Sequence, residues 1–179
     1  MDRILSIDFA IRNVGVAVIH DDLTSQGYDK LKIADASVIT TKAKNSIPSE
    51  IKNLRDIFRQ LKDIISSYNI NYCVAEIMHG AQDSKSARTK GQTEGIYGSL
   101  NYVCGNVKFH VIMPREVHTH FGATGKNAKL KVYNRILGMH PDLQKRFGNN
   151  KGNVPDHITD AVGIYYAWKY KTLLKELTL

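Results

Sequence analysis

Four residues spread along the chain have the side chains needed to hold a hard divalent cation: Asp8, Glu76, His157 and Asp160. Asp8 closes the apolar run 4–7, and Glu76 lies near the end of the apolar run 72–77. An acidic group in such a run is costly to bury unless something binds it. His157 and Asp160 are three residues apart, a spacing that puts both on one face of a helix. If the strands carrying Asp8 and Glu76 are neighbours, their carboxylates converge too. Crowded carboxylates must be neutralised, and hard divalent cations take oxygen ligands, so Mg²⁺ is the expected occupant, with Mn²⁺ as its natural substitute. The chemistry of such a site is two-metal phosphodiester hydrolysis, with ions roughly 3.5 to 4 Å apart, one activating water and the other stabilising the leaving oxygen.

Each residue also has a plainer role open to it. Asp8 could accept hydrogen bonds in the turn before Asn13, Glu76 could pair with a lysine, and His157 could be a surface residue at a helix end. Asp156, after Pro155, has the position of a helix N-cap. It is the joint arrangement that favours the metal site. Lys129 can join it: around a helix from Lys126, Leu130, Val132, Tyr133, Ile136 and Leu137 share one arc, while Lys131 and Arg135 point away. Lys129 falls at the edge of that arc, where its tip either reaches the site or snorkels to solvent.

The elements that must position these groups follow from periodicity. Residues 4–7 and 14–19 are β-branched runs that predict two strands of a hairpin, and 31–41 predicts a third strand. Apolar residues recur at the helical period over 47–68, with Ser46 and Pro48 at the start. A strand over 72–77 follows, and the helical crossover before it predicts parallel pairing. A helix over 84–103, a strand over 107–113, shorter helices near 114–121 and 126–139, a Gly/Asn-rich loop over 148–153 and a closing helix over 157–177 complete the chain. The expected fold is one α/β domain spanning residues 1–179, without internal repeats.

Composition agrees with a folded, soluble domain: apolar residues make up 42% of 179 and charged residues 23%, with four prolines. The chain opens into Ile4-Leu5-Ser6-Ile7 without a basic leader and a long apolar segment, so neither a signal peptide nor a membrane span is expected, and a cytoplasmic location is. Cys73 and Cys104 are too far apart in sequence for a metal knuckle and are expected to be reduced. The net charge is +8, and seven of those charges come from residues 108–151, where nine basic residues face two acidic ones. That bias points to a nucleic-acid face, with phosphate contact favoured over base stacking because the segment is poor in aromatics.

The run 4–19, Ala75-Glu76 followed by Gly91-Gln92 and Gly95, and His157 with Asp160-Ala161 resemble the RuvC-type Holliday junction resolvases of the RNase H-like superfamily, over nearly the whole chain and in order. The resemblance implies an RNase H-like fold: a mixed five-stranded sheet, three leading antiparallel strands then parallel ones, flanked by helices. It implies a structure-selective endonuclease that nicks four-way DNA junctions in pairs, with two Mg²⁺ ions bound by Asp8, Glu76, His157 and Asp160. It also implies a homodimer formed through the helix over 84–103, with Ala87, Ile96, Leu100 and Val103 as apolar contacts and Gly91, Gly95 and Gly98 allowing close approach. The family's wedge aromatic matches His79, with Met78 the alternative, and its basic residues near the penultimate helix match His118 and Lys129. Lys126, Lys131 and Arg135 complete the expected DNA-binding set; a branch-migration helicase as a further partner leaves no signal in the sequence.

Three other functions compete. An actin-like kinase or ATPase shares the strand-Asp-Gly opening of residues 8–15, but needs two such domains around its nucleotide. A non-catalytic junction-binding protein would keep the basic segment and lose a carboxylate. A less selective nuclease cutting flaps and forks is compatible with every residue named.

Overall fold

The structure is a computed structural model that describes residues 1–24, 31–42, 46–77, 80, 83–149 and 152–177, with side chains as far as residue 174. Five strands, β1 (Asp2–Asp8), β2 (Asn13–Asp21), β3 (Lys32–Thr40), β4 (Tyr72–Glu76) and β5 (Lys108–Ile112), form one sheet in the order β3-β2-β1-β4-β5. The β1–β2 and β2–β3 pairs are antiparallel; β1–β4 and β4–β5 are parallel. This is the expected mixed sheet. Its central strands read as continuous apolar runs because both faces are covered.

The pleat sorts those runs. Leu5 and Ile7 of β1, Val14, Val16 and Val18 of β2, and Cys73 and Ala75 of β4 pack against α1 (Ile47–Ser67) and α2 (Ser84–Val103). Ile4, Ala17, Ile19 and Val74 face the other way, towards α3 (Pro114–His120), α4 (Ala128–Met139), α5 (Asp142–Phe147) and α6 (Asp156–Leu177). With a side-chain period of two, Ser6, Asp8 and Glu76 belong to the α6 face.

The closing helix is fastened to that face by polar contacts as well as by packing. The Ser6 hydroxyl donates to the carbonyl of Ala161 at 2.6 Å. At the far end, Lys169 donates to the Asp21 carboxylate at 2.5 Å, and the Tyr165 hydroxyl donates to the same oxygen. Lys169 and Asp21 are 1% and 0% exposed, so this ion pair is fully desolvated and depends on its added hydrogen bond.

Several boundaries differ from the sequence expectation. α5 was not expected: it has six residues and one buried side chain, Leu143, and a single buried residue leaves no periodic signal. α4 begins at Ala128, with Asn127 at its N-cap position, so Lys126 lies ahead of the helix. Leu130 is 57% exposed, while Ala128, Val132 and Ile136 form the buried stripe. Asp156 is the first residue of α6 and not the cap before it; the Pro155 carbonyl accepts from Ile158 at 2.9 Å. Cys73 and Cys104 are both free and buried. Among the described residues no helix is long and apolar enough to cross a membrane.

Candidate active site

Strand register brings the first two carboxylates together: Asp8 and Glu76 are Cα partners across the parallel β1–β4 pair, at the ends of both strands. The second pair is brought by α6. Its first turn lies over β2, where Gly15 is the partner of Asp8. A Cβ at Gly15 would stand 2.0 Å from the His157 carbonyl oxygen, so the helix start can approach the sheet this closely only over glycine. His157 Nδ1 then sits 2.7 Å from Asp8 Oδ2.

Asp160 follows one turn on, and its carboxylate is 2.8 Å from Lys129 Nζ. Ligand atoms of Asp8, His157 and Asp160 all lie within 4.8 Å of one another. Glu76 is outside that tight triplet but lines the same cleft, a cavity of about 330 Å³ walled by Pro114, Val117 and Val132 and reached by His118 and Lys129. The structure therefore brings Asp8, Glu76, His157, Asp160, Lys129 and His118 to one place. Lys126 borders the adjacent groove with Lys129 and Asp156, whereas Lys131 and Arg135 are exposed on α4 and outside the cleft lining. His79 and Met78 lie outside the described residues.

The electrostatics of the cluster are those of crowded negative charge. Burial pushes the Glu76 carboxyl up to about 7, and the nearby charges of Asp8 and Asp160 push the same way against Lys129. Asp160 is also raised, first by burial and then by Asp8 and Asp156, although its hydrogen bond to Lys129 opposes this. Burial pulls Lys129 down, but the hydrogen bond to Asp160 and the charges of Asp160, Asp156 and Asp8 outweigh it and keep its ammonium above the ordinary value. A donor set of three carboxylates and one imidazole, with two of the carboxyls reluctant to ionise, fits a hard divalent cation, which would supply the missing positive charge.

Sequence reasoning missed Gly15 and Ser6. Each carries a weak signal, a glycine and a serine inside an apolar strand, and their meaning depends on which helix crosses above.

The five-stranded mixed sheet flanked by helices is an RNase H-like fold. The sequence matches the family Crossover junction endodeoxyribonuclease RuvC over residues 4–165, and the chain belongs to that family. It is accordingly an endodeoxyribonuclease acting on Holliday junctions. Nucleases of this family depend on divalent metal. Among solved structures it is similar to Thermus thermophilus RuvC in complex with Holliday junction substrate, at 16% identity and TM-score 0.70, covering 97% of this chain and 96% of that one. It is similar also to the yeast mitochondrial Holliday junction resolvase Ydc2, at 17% identity and TM-score 0.66, covering 98% of this chain and 81% of that one. A third is the Fowlpox virus resolvase bound to Holliday junction DNA, at 16% identity and TM-score 0.55, covering 94% of this chain and 98% of that one. At these identities the likeness is one of fold. No curated protein sequence matches.

Two outcomes follow from the geometry. Gly15→Ala should part the start of α6 from β2, costing about 1–3 kcal/mol in thermal unfolding and most of the cutting rate on a synthetic junction; a wild-type rate would show that this close approach is dispensable. Because folding raises the Glu76 pKa, the associated stability is present at low pH and lost as pH climbs to about 7. In chelator, Glu76→Gln should therefore change stability little near pH 4 and raise it at pH 8 by up to about 3 kcal/mol. A difference independent of pH, measured by urea unfolding, would contradict this.

Proposed function

We propose that the chain resolves four-way DNA junctions by paired nicking, with two Mg²⁺ ions held by Asp8, Glu76, His157 and Asp160. The observation that carries this reading is the convergence of Asp8, His157 and Asp160 within 4.8 Å, beside Glu76, in a chain of the RuvC family. Water activation and leaving-oxygen stabilisation are the chemistry that paired divalent cations supply in such a site. Lys129, charged and 2.8 Å from Asp160, holds that carboxylate in place and presents a cation to the scissile phosphate. His157 keeps Asp8 oriented through the 2.7 Å hydrogen bond between its Nδ1 and Asp8 Oδ2. Val117 and Val132 form an apolar wall of the cleft. Lys126, Lys131 and Arg135 would lie along the DNA backbone, all three being exposed. The expected setting is the cytoplasm.

Paired nicking needs two sites, which a two-fold homodimer supplies. The interface we propose is the outward stripe of α2 formed by Ala87, Gly91, Gly95, Gly98 and Tyr102, the last 91% exposed. Ile96 and Leu100, expected in that interface from sequence, are instead in the chain's own core at 6% and 0% exposure. Val103 remains exposed at the helix end.

Asp8→Asn and Asp160→Asn keep side-chain shape while removing charge, and should lower nicking of a synthetic four-way junction by more than about 100-fold while retaining binding in a gel shift. His157→Ala should be milder. Wild-type nicking by either Asn variant, or by the native protein in excess chelator, would end the metal assignment, and equal rates on flaps and forks would make this a general branched-DNA nuclease. Gly95→Arg, at a position where a Cβ meets nothing within 4 Å, should leave the fold intact and give a monomer by light scattering; a variant that stays dimeric places the interface elsewhere.

A further inference from the structure

Residues outside 108–151 carry little net charge, yet the fold gathers some of their cations. Where β3 ends and the first half of α1 passes, a polar cavity of about 340 Å³ is lined by Thr41, Lys42, Ser49, Lys52, Asp56 and Arg59 among others. Its walls are fixed by local hydrogen bonds. Thr41 donates from its amide to the Arg12 carbonyl at 3.0 Å and from its hydroxyl to the Ile11 carbonyl at 2.9 Å. Asn53 donates from its side chain to the Lys42 carbonyl at 2.9 Å, tying β3's end to α1.

The charges lining this cavity are unbalanced. Among the described residues neither Lys42 nor Lys52 has an acidic partner, and Arg59 reaches Asp56 only at 3.9 Å. Three cations therefore face one carboxylate in a concave polar site, an arrangement that concentrates positive potential and repels metal ions. The ligand chemistry that fits is an oxyanion.

Register places this site at the same end of the sheet as the cleft, with α1 holding it on the face opposite Asp8 and Glu76. Asp8 is the partner of Gly15, and Gly15 of Val38, so the level of the carboxylates crosses β3 two strands away, roughly 10 Å at the usual strand spacing. The cavity opens just beyond that level, and between the two lies the β1–β2 turn with Arg12 exposed, also without an acidic partner among the described residues. The β1–β2 turn joins the two sites: Ala10 lines the cleft that holds Lys129, and the Arg12 carbonyl accepts from Thr41 at the cavity of Lys42 and Lys52.

We propose that this cavity binds a backbone phosphate of the DNA, on the side of the carboxylates opposite α4, so that the strand is gripped on both sides of the cut. The inference rests on the DNA-cleaving function above. The site adds affinity and direction without taking part in bond cleavage, since none of its side chains lines the cleft.

The test is a salt titration of junction binding by fluorescence anisotropy, in chelator so that no strand is cut. Every phosphate charge left without its cation flattens the slope of log affinity against log salt by about 0.9, so Lys42→Gln with Lys52→Gln, which together strip one phosphate of its cations, should reduce it by about 0.9. The melting temperature should be unchanged, the cutting rate at saturating junction should stay at the wild-type value, and Lys52→Arg alone should keep the wild-type slope. If the double variant has the wild-type slope and affinity, the inference is overturned. It is overturned as well if inorganic phosphate raises the melting temperature of the wild type and not of the variant while the slope is unchanged, since the cavity would then serve a small phosphate. A wild-type protein that cuts junctions beside an unaltered double variant refutes this inference alone, whereas a wild type that neither binds nor cuts junctions takes the proposed function down with it.

Discussion

The seating of α6 on the sheet is the constraint on which the site depends. Two of the four proposed metal ligands come from strands whose register places them without help, but His157 and Asp160 arrive only if the helix lies at the right height and azimuth. That position is set at three points along β1 and β2. Gly15 admits the helix start, Ser6 holds the Ala161 carbonyl, and Asp21 binds Lys169 and Tyr165 at the other end. The buried Asp21–Lys169 pair is expensive to form, because both charges leave water. Replacing it with apolar groups would cost less in desolvation and would remove the two directional contacts that hold this end of the helix. A polar anchor fixes the register of a helix whose first turn must place two ligands within a few ångströms.

Once assembled, the cluster opposes its own charge. Burial and mutual repulsion lift Glu76 to about 7 and raise Asp160, while Lys129 offsets part of the penalty for Asp160. The same lysine therefore has two consequences. It stabilises the cluster when no cation compensates it, and in the proposed function it leaves a positive group beside the scissile phosphodiester. The burial of Glu76 is not a defect of the fold: its carboxyl, pushed up to about 7, would exchange its proton for divalent charge as pH rises.

How much of this could be read beforehand depends on the range of the determinant. The strands over β1, β2 and β4 were legible because burial on both faces leaves unbroken apolar runs, and an acid closing such a run is conspicuous. His157 and Asp160 were legible because their spacing is local. α5 was not, since one buried leucine in six residues has no period, and Asp156 is not the expected cap because the first turn of α6 uses the Pro155 carbonyl. The α2 face was misassigned for a related reason. Ile96 and Leu100 share the helix with glycines on the opposite side, and sequence alone marks both faces as candidates for burial; only the sheet beneath decides that the leucine side is the core and the glycine side is left outward. Gly15 stayed silent because its role is a contact with a residue more than a hundred positions away.

Charge gives the same lesson in another form. Counting along the chain assigns nearly all the net positive charge to residues 108–151, and so to the α4 side of the cleft. Net charge hides cations that are balanced in sequence but not in space: Glu50 turns to Arg88 on α2, leaving Lys42 and Lys52 without an acidic partner among the described residues. The potential felt by a polyanion depends on that spatial pairing, screened over roughly 10 Å at ordinary salt, and not on the tally of a segment. On that length scale Arg12 counts with both basic regions, since its turn reaches from the cleft, which Ala10 lines, to Thr41 at the end of β3. A strand drawn by phosphate attraction alone would then be led over the carboxylates, where the cations they require supply the positive charge at the centre of the path.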